Sequence, residues 1–296
     1  MIAKFLGWDE CSFEEYALLC DSFGFNCESS PLFIKFMLNK GADFRFLSYK
    51  RNNNLVGGVC LDNGWLTNDL KNPKRTNMHL PIPAYSILPP FMDGVRVLAP
   101  FKSKCIYPSF NSFINTSFHF LSKRRVAYTK DVVNGFSKKS ISTMNRKERL
   151  FLEDGGSFVD VNALSPLELF NIYDILFFNR RGVRINEPEL NIDFFRECKN
   201  NFFGDVVYLN GEPVGIQLLI FSLSKKGFFV DFINIGYDMN INKHSLGSIL
   251  MWNNLKKAHA YAVNLNVPMY FSFGAMSGAY KARWCLPQTV GRILTI

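Results

Sequence analysis

The sequence has no apolar stretch long enough to cross a membrane as a helix. Its longest runs, such as Val214 to Phe221, are strand-sized, against the ~20 residues that a spanning helix needs. Any membrane association is therefore expected to be peripheral. The first ten residues turn acidic at Asp9 and Glu10 without an apolar core, so no signal peptide is expected. Cysteines are scattered at 11, 20, 27, 60, 105, 198 and 285, with no Cys-x-x-Cys pair. Such an odd, unspaced set suggests neither a disulfide framework nor a zinc site, and reduced thiols in a cytoplasmic protein are the simplest expectation. Histidine is scarce, with four residues at 79, 119, 244 and 259. His244 and His259 lie too far apart to chelate together on a helix rising ~1.5 Å per residue, so no metal site is expected. Neither a Gly-x-Ser-x-Gly elbow nor a phosphate-binding P-loop occurs, which leaves hydrolase and nucleoside-triphosphatase readings without support.

Acidic residues are also in deficit: 25 Asp and Glu stand against 34 Lys and Arg, a formal charge of +9. The excess is concentrated. Between Lys123 and Arg149, nine cations face only Asp131 and Glu148, so this segment carries +7 of the total. Such density suits an anionic partner, whether acidic lipid headgroups, tRNA or DNA, and equally suits a solvated linker helix. A basic helix followed by Gly155-Gly156 and a strand lacks helix-turn-helix spacing, so sequence-specific DNA contact is not expected.

What is abundant is apolar and aromatic. The 296 residues are 48% hydrophobic, with 30 Phe and 11 Tyr, enough for two ordinary domains or one large one. Ser12 and Glu15 open a helix over 13–23, Pro31 to Leu38 form a second, and strands at 44–49 and 55–60 flank an Asn-rich turn. Seven of the thirteen prolines fall between 62 and 110, predicting loops and short edge strands. A helix is expected over Asn111 to Val126 and another over Ser140 to Asp154, ended by Gly155-Gly156. Then come a strand at 158–161, a helix opened by Ser165-Pro166-Leu167-Glu168, and a helix over Glu189 to Asn200. A hairpin follows around Asn210-Gly211, and then a strand at 228–235. Each half thus runs helix, helix, strand, Asn-containing turn and a strand starting Val-Gly, a weak internal repeat.

The densest chemistry lies between His244 and Trp284. Ser245-Leu246-Gly247-Ser248 is a small polar turn that can open a helix and leave its first backbone N–H groups free for an anion. Met251, Leu255, Ala258, Ala262 and Leu265 continue the helix. Pro268 ends it, and Met269 to Gly274 reads as a buried strand. Tyr280, Lys281, Arg283 and Trp284 then cluster a phenol, an amine, a guanidinium and an indole. Asp231 and Asp238 flank the end of the preceding strand. Either could serve as a general base if desolvated, although Asp231, alternating with Phe229, reads more simply as a buried, hydrogen-bonded acid.

Ser-Leu-Gly at the helix start and Tyr-Lys-Ala-Arg-Trp near the end resemble the last quarter of GNAT-type acyltransferases. The Fem-like branch, which attaches amino acids or acyl groups to envelope precursors, is the nearest in pattern. Within it, Gly247 to Trp252 and Arg283-Trp284 resemble the macrophage-inducible-gene (Mig) proteins of Gram-negative bacteria, a family associated with the inner membrane and with resistance to cationic antimicrobial peptides. The resemblance implies an α/β (α+β) fold of tandem GNAT-like modules, with mixed central sheets flanked by helices. The modules would span 1–136 and 157–296, joined by a basic linker helix at 137–156. It implies donor binding by Ser245, Leu246, Gly247, Ser248 and Arg283, with Tyr280, Lys281 and Asp238 as catalytic candidates. The implied donor is acyl-coenzyme A or aminoacyl-tRNA, and the acceptor an envelope component or other amine. The basic 123–149 segment would meet the membrane surface or tRNA. The usual donor loop, Gln/Arg-x-x-Gly-x-Gly/Ala, is loosened here: His244 replaces its first residue and Ile249 its last, where a large side chain is expected to narrow the backbone's approach. A non-catalytic protein that keeps the fold and acts by partner contacts is the alternative.

Overall fold

The computed structural model describes residues 2–76, 78–119, 123–241 and 243–294. Its first half opens with α1 (Ile2–Phe5), β1 (Trp8–Glu10) and α2 (Phe13–Phe23). The Ser12 hydroxyl accepts from the Glu15 amide and the Glu15 carboxylate accepts from the Ser12 amide, a reciprocal cap that fixes the start of α2. α3 (Pro31–Asn39) is followed by β2 (Arg45–Arg51), β3 (Asn54–Asp62) and the two-residue β4 (Trp65–Leu66). Asn52 (φ 51°) and Asn53 (φ 64°) both take the left-handed conformation that a tight hairpin between right-twisted strands demands. The four strands form an antiparallel sheet in the order β1-β2-β3-β4.

The proline-rich stretch that follows is irregular, and the helix expected over Asn111 to Val126 does not form. The chain there is extended: Val97 donates to Ser112 O and Ile114 donates to Val97 O, which commits this backbone to cross-chain pairing. Phe110 and Phe113 are carried into the core, and β5 (Thr116–Ser117) is the strand that results. Residues 120–122 of that expectation lie outside the described residues.

The second half repeats the theme at larger scale. After β6 (Arg125–Thr129) and α4 (Lys138–Glu153) come β7 (Gly156–Asp160), α5 (Pro166–Arg181) and α6 (Pro188–Glu197). β8 (Phe202–Phe203), β9 (Asp205–Leu209), β10 (Glu212–Ser224) and β11 (Gly227–Tyr237) follow. Ser165 and Glu168 cap α5 as Ser12 and Glu15 cap α2, and Asn210 (φ 53°) with Gly211 (φ 86°) turns the β9–β10 hairpin. The series β1-α2-α3-β2-β3-β4 is thus matched by β7-α5-α6-β9-β10-β11, with the same strand order and pairing. The copies diverge at the last strand, which has two residues in the first half and eleven in the second. Among the described residues, only the second copy continues into a long helix, α7 (Leu246–Asn264), and β12 (Met269–Ala275). The chain closes with α8 (Lys281–Trp284), β13 (Cys285–Thr289) and β14 (Arg292–Ile293), which pairs with β5.

The large sheet runs β13-β6-β12-β11-β10-β9-β7, antiparallel throughout except for β11 and β12. β6, which precedes the basic helix in sequence, is seated inside this sheet between β12 and β13. Alternation along β10 and β11 divides the apolar residues. Ile216, Ile220 and Phe229 join a core shared by α5, α6 and the first half, whereas Leu219, Phe228 and Val230 meet Trp252 and Leu255 of α7. Phe33 and Phe36 pack on Phe194 at ring separations of 5.6 and 5.1 Å, so the halves share one continuous core. No helix among the described residues is long and apolar enough to cross a membrane.

Candidate functional site

The parallel pairing of β11 with β12 runs from Phe228/Met269 to Asp231/Ser272 and stops there. At the next position the register of β10 against β11 slips: Leu218 faces Asn234 and Leu219 faces Phe232, leaving Ile233 as a bulge. Beyond Asp231 the two strands part. A cavity of about 500 Å³ opens beside β11, between its end and the start of α7. Phe232, Ile235 and Met251 give it apolar walls, and Arg180 and Tyr280 enter from α5 and the segment before α8.

Six of the residues expected from the sequence meet in this cavity: Asp238, Ser245, Leu246, Gly247, Ser248 and Tyr280. Ser245 stands at the N-cap of α7 without making a side-chain cap, and its carbonyl accepts from Ser248 and Ile249. Among the described residues no backbone or side-chain acceptor takes up the Leu246 or the Gly247 amide, and both stand at the positive end of a 19-residue helix, where an anion is favoured. A Cβ built on Gly247 would meet only Ile235 and Tyr237, at 3.7 Å, an ordinary contact with two cavity-wall residues. Ile249 does not narrow the approach as expected: its side chain is buried with Phe151, Val207 and Leu250, and it is not among the residues lining the cavity.

Asp238 is half-buried, and its carboxylate accepts from the Asn240 amide, stabilising the turn after β11. Tyr280 is half-exposed. Burial pushes its phenol above the ordinary value, opposed by the nearby guanidinium groups of Arg180 and Arg181. Lys281 does not line the cavity. It is buried below Tyr280 and donates to the carbonyls of Phe273 and Ala275 at the end of β12, and desolvation lowers its pKa. Arg283 also lies apart: its side chain is exposed, and its carbonyl accepts from Lys130 Nζ at 3.0 Å.

Two cations that sequence reading did not single out stand at the site. Lys147, from the basic α4, places Nζ 3.0 Å from the Ser245 hydroxyl and thus supplies a positive charge at the loosened donor loop. Arg180 donates through Nη1 to Ile235 O at 2.7 Å and lies over the Tyr237 ring at 5.4 Å, which fixes its guanidinium at the cavity wall. His244 is turned inward instead: its ring stands edge-on to Phe151 and Nε2 lies 3.2 Å from an Asp154 carboxylate oxygen. Arg180 and Arg181 stand in the last turn of α5. Their approach to β11, like that of Lys147 to α7, is set by packing between elements far apart in the chain.

Among the described residues no group of three His, Cys, Asp or Glu side chains is placed to hold a metal ion. The basic segment does not form one face. Arg125 lies on β6, inside the large sheet between β12 and β13, and Lys130 follows directly after that strand, whereas Lys138, Arg146 and Arg149 border an open groove along α4.

Compared with solved structures, the chain is similar to FemX, with a TM-score of 0.59 at 10% identity over 97% of each chain. It is also similar to L-PGS from Bacillus licheniformis, with a TM-score of 0.54 at 10% identity over 97% of this chain and 93% of the other. Both likenesses span the two halves, and they identify the α/β architecture as the tandem GNAT-like, Fem-like fold. None of the curated proteins compared matches the sequence. The Mig-14 family model matches residues 31–293, from α3 to the last strand. On that extent of match, the chain belongs to the Mig-14 family.

Proposed function

We propose that this protein is a Fem-like transferase that moves an acyl or aminoacyl group from a donor at the N-terminus of α7 to an amine or other acceptor of the cell envelope. The observation that carries the reading is the pair of free amides at Leu246 and Gly247, opening onto the cavity where β11 leaves β12. Amides at a helix start favour the phosphate of either donor, acyl-coenzyme A or aminoacyl-tRNA. Lys147 and Arg180 add cations on two sides. Tyr280 stands where a phenol can protonate a leaving group, and Lys281 holds the end of β12 from which the Tyr280 segment departs. Asp238 at the rim is the candidate base, and Arg283 would reach only a long donor. In this reading the exposed Lys138, Lys139 and Arg146 of α4 meet an anionic membrane surface or tRNA, and the protein works peripherally at the inner membrane. Modification of an envelope component there would contribute to antimicrobial-peptide resistance.

The test is calorimetric titration with acetyl-coenzyme A, a long-chain acyl-coenzyme A and an aminoacyl-tRNA. One of the three should bind saturably, and Gly247→Asp, whose side chain fits without backbone strain but brings a negative charge to the free amides, should abolish that binding while the melting temperature holds. Absence of binding by all three, or an affinity unchanged in Gly247→Asp, would remove the donor-site reading.

A further inference from the structure

A second cavity, of about 150 Å³, lies on the seam between the halves. The first half contributes Phe91, Tyr107 and Phe110, and the second contributes Phe229 and Tyr270. Phe229 and Tyr270 stack with centroids 4.9 Å apart and planes 16° from parallel. Tyr107 meets both edge-on, at 6.0 and 6.1 Å. Behind this box the Tyr107 ring meets Tyr128 edge-on at 6.1 Å, and the Tyr128 hydroxyl lies 3.1 Å from Ser86 Oγ. Ser86 and Tyr85 donate their amides to one oxygen of the buried Glu28, and Asn26 Nδ2 reaches the other at 2.7 Å. Asp231, also buried, adjoins Glu28, Cys27 and Ser272. Burial is the largest influence on both carboxyls and raises both; Asp231 raises Glu28 further, while hydrogen bonds from Cys27 and Ser272 partly offset the rise at Asp231. At the rim, the Lys226 ammonium is tied to the Asp93 carboxylate.

We propose that the seam cavity is a binding site for a small organic ammonium group, held against the rings of Tyr107, Phe229 and Tyr270. Electron-rich ring faces attract such a cation, and the more so when water is excluded. The acid that lines the cavity is Asp93, held by the Lys226 ammonium, whereas Glu28 and Asp231 lie behind the box as carboxyls that burial keeps protonated more readily than free acids. The volume suits a headgroup-sized ligand. The site goes beyond the donor reading, since binding an ammonium group requires no transfer. Phe229 of this cavity and Phe232 of the donor cavity are three residues apart on β11, about 10 Å, so an amine seated in the seam faces the splay from the opposite side.

The test is calorimetric titration of the full chain with choline, with ethanolammonium, and with the neutral alcohol in which carbon replaces choline's charged nitrogen. One of the two cations should bind saturably, and the neutral alcohol at least about tenfold more weakly than choline. Tyr270→Ala should lose about tenfold in affinity. Lys226→Met, a rim substitution that leaves the core intact, should bind the cation several-fold more tightly because a competing charge is gone. No saturable binding of either cation, equal binding of choline and the neutral alcohol, or unimproved binding in Lys226→Met would overturn the proposal, and the Lys226 result decides it even if Tyr270→Ala fails to fold. Gly247→Asp should bind choline as the parent does, so a failed donor site and a failed seam site are told apart.

Discussion

Replacing Asp231 by Asn tests the buried acid pair through stability alone. Burial weakens both acids of this cluster, and desolvation lifts the Asp231 carboxyl from 3.8 to about 6. The folded protein therefore keeps a proton that the unfolded chain has already released. Stability is greatest below pH ~4, falls as the pH rises towards 6, and levels once the folded carboxyl also ionises. At about 1.4 kcal/mol per pH unit, the rise from 3.8 to about 6 costs about 3 kcal/mol across that window. For a chain of this size this corresponds to a melting temperature lower by about 6 °C. Asn keeps the shape and an acceptor oxygen without titrating. It also removes the charge that opposes ionisation of Glu28, so the difference between the two proteins should be at least this large. Melting followed by circular dichroism between pH 4 and 8 should give a curve for Asp231→Asn that is flatter than the parent's by that amount. Parallel curves would show that the carboxyl is not desolvated by the first half, and the account of the seam would fail with it.

Phe194, fully buried against Phe33, Phe36 and Phe202, ties the halves together; Phe194→Ala should cost about 3–5 kcal/mol in denaturant unfolding, and a cost below 1 kcal/mol would mean that the shared core carries little of the stability. Lys281→Met leaves the carbonyls of Phe273 and Ala275 without their donor. It should lower stability by about 1–3 kcal/mol, and an unchanged midpoint would assign no structural role to the buried amine.

The parts of the fold written in local chemistry were legible. Ser12 with Glu15, Ser165 with Glu168, and the Asn-containing turns at 52–53 and 210–211 each satisfy their own backbone, so their neighbours hardly matter. The same holds for the start of α7, where small residues announce an open helix end. Readings that depended on partners were less reliable. Apolar residues between 111 and 119 resemble a helical stripe, yet Val97 claims that backbone for extended pairing. Ile249 was read as an obstruction from its place in a motif, whereas its helical phase turns it into the core. Lys147 reaches Ser245 across 98 positions, and no window of the sequence contains both. The burial of Asp231 likewise depends on Cys27 and Glu28, which arrive from the other end of the chain.

The insertion of β6 between β12 and β13 bears on how the molecule is made. Its pairing partners, 269–275 and 285–289, are the last strands of the large sheet to leave the ribosome, so residues 125–129 must wait with unpaired edges while residues 130–268, nearly half the chain, are still being synthesised. A fragment beginning at 157 would bring β12 and β13 with an empty slot between them, and one ending before 269 would leave β6 without either neighbour. Neither piece is a natural unit of expression. A strand supplied in trans, from a second copy of the same protein, would fit the slot as well as the chain's own, which makes exchange of this strand the expected misassembly when synthesis is fast and the product crowded.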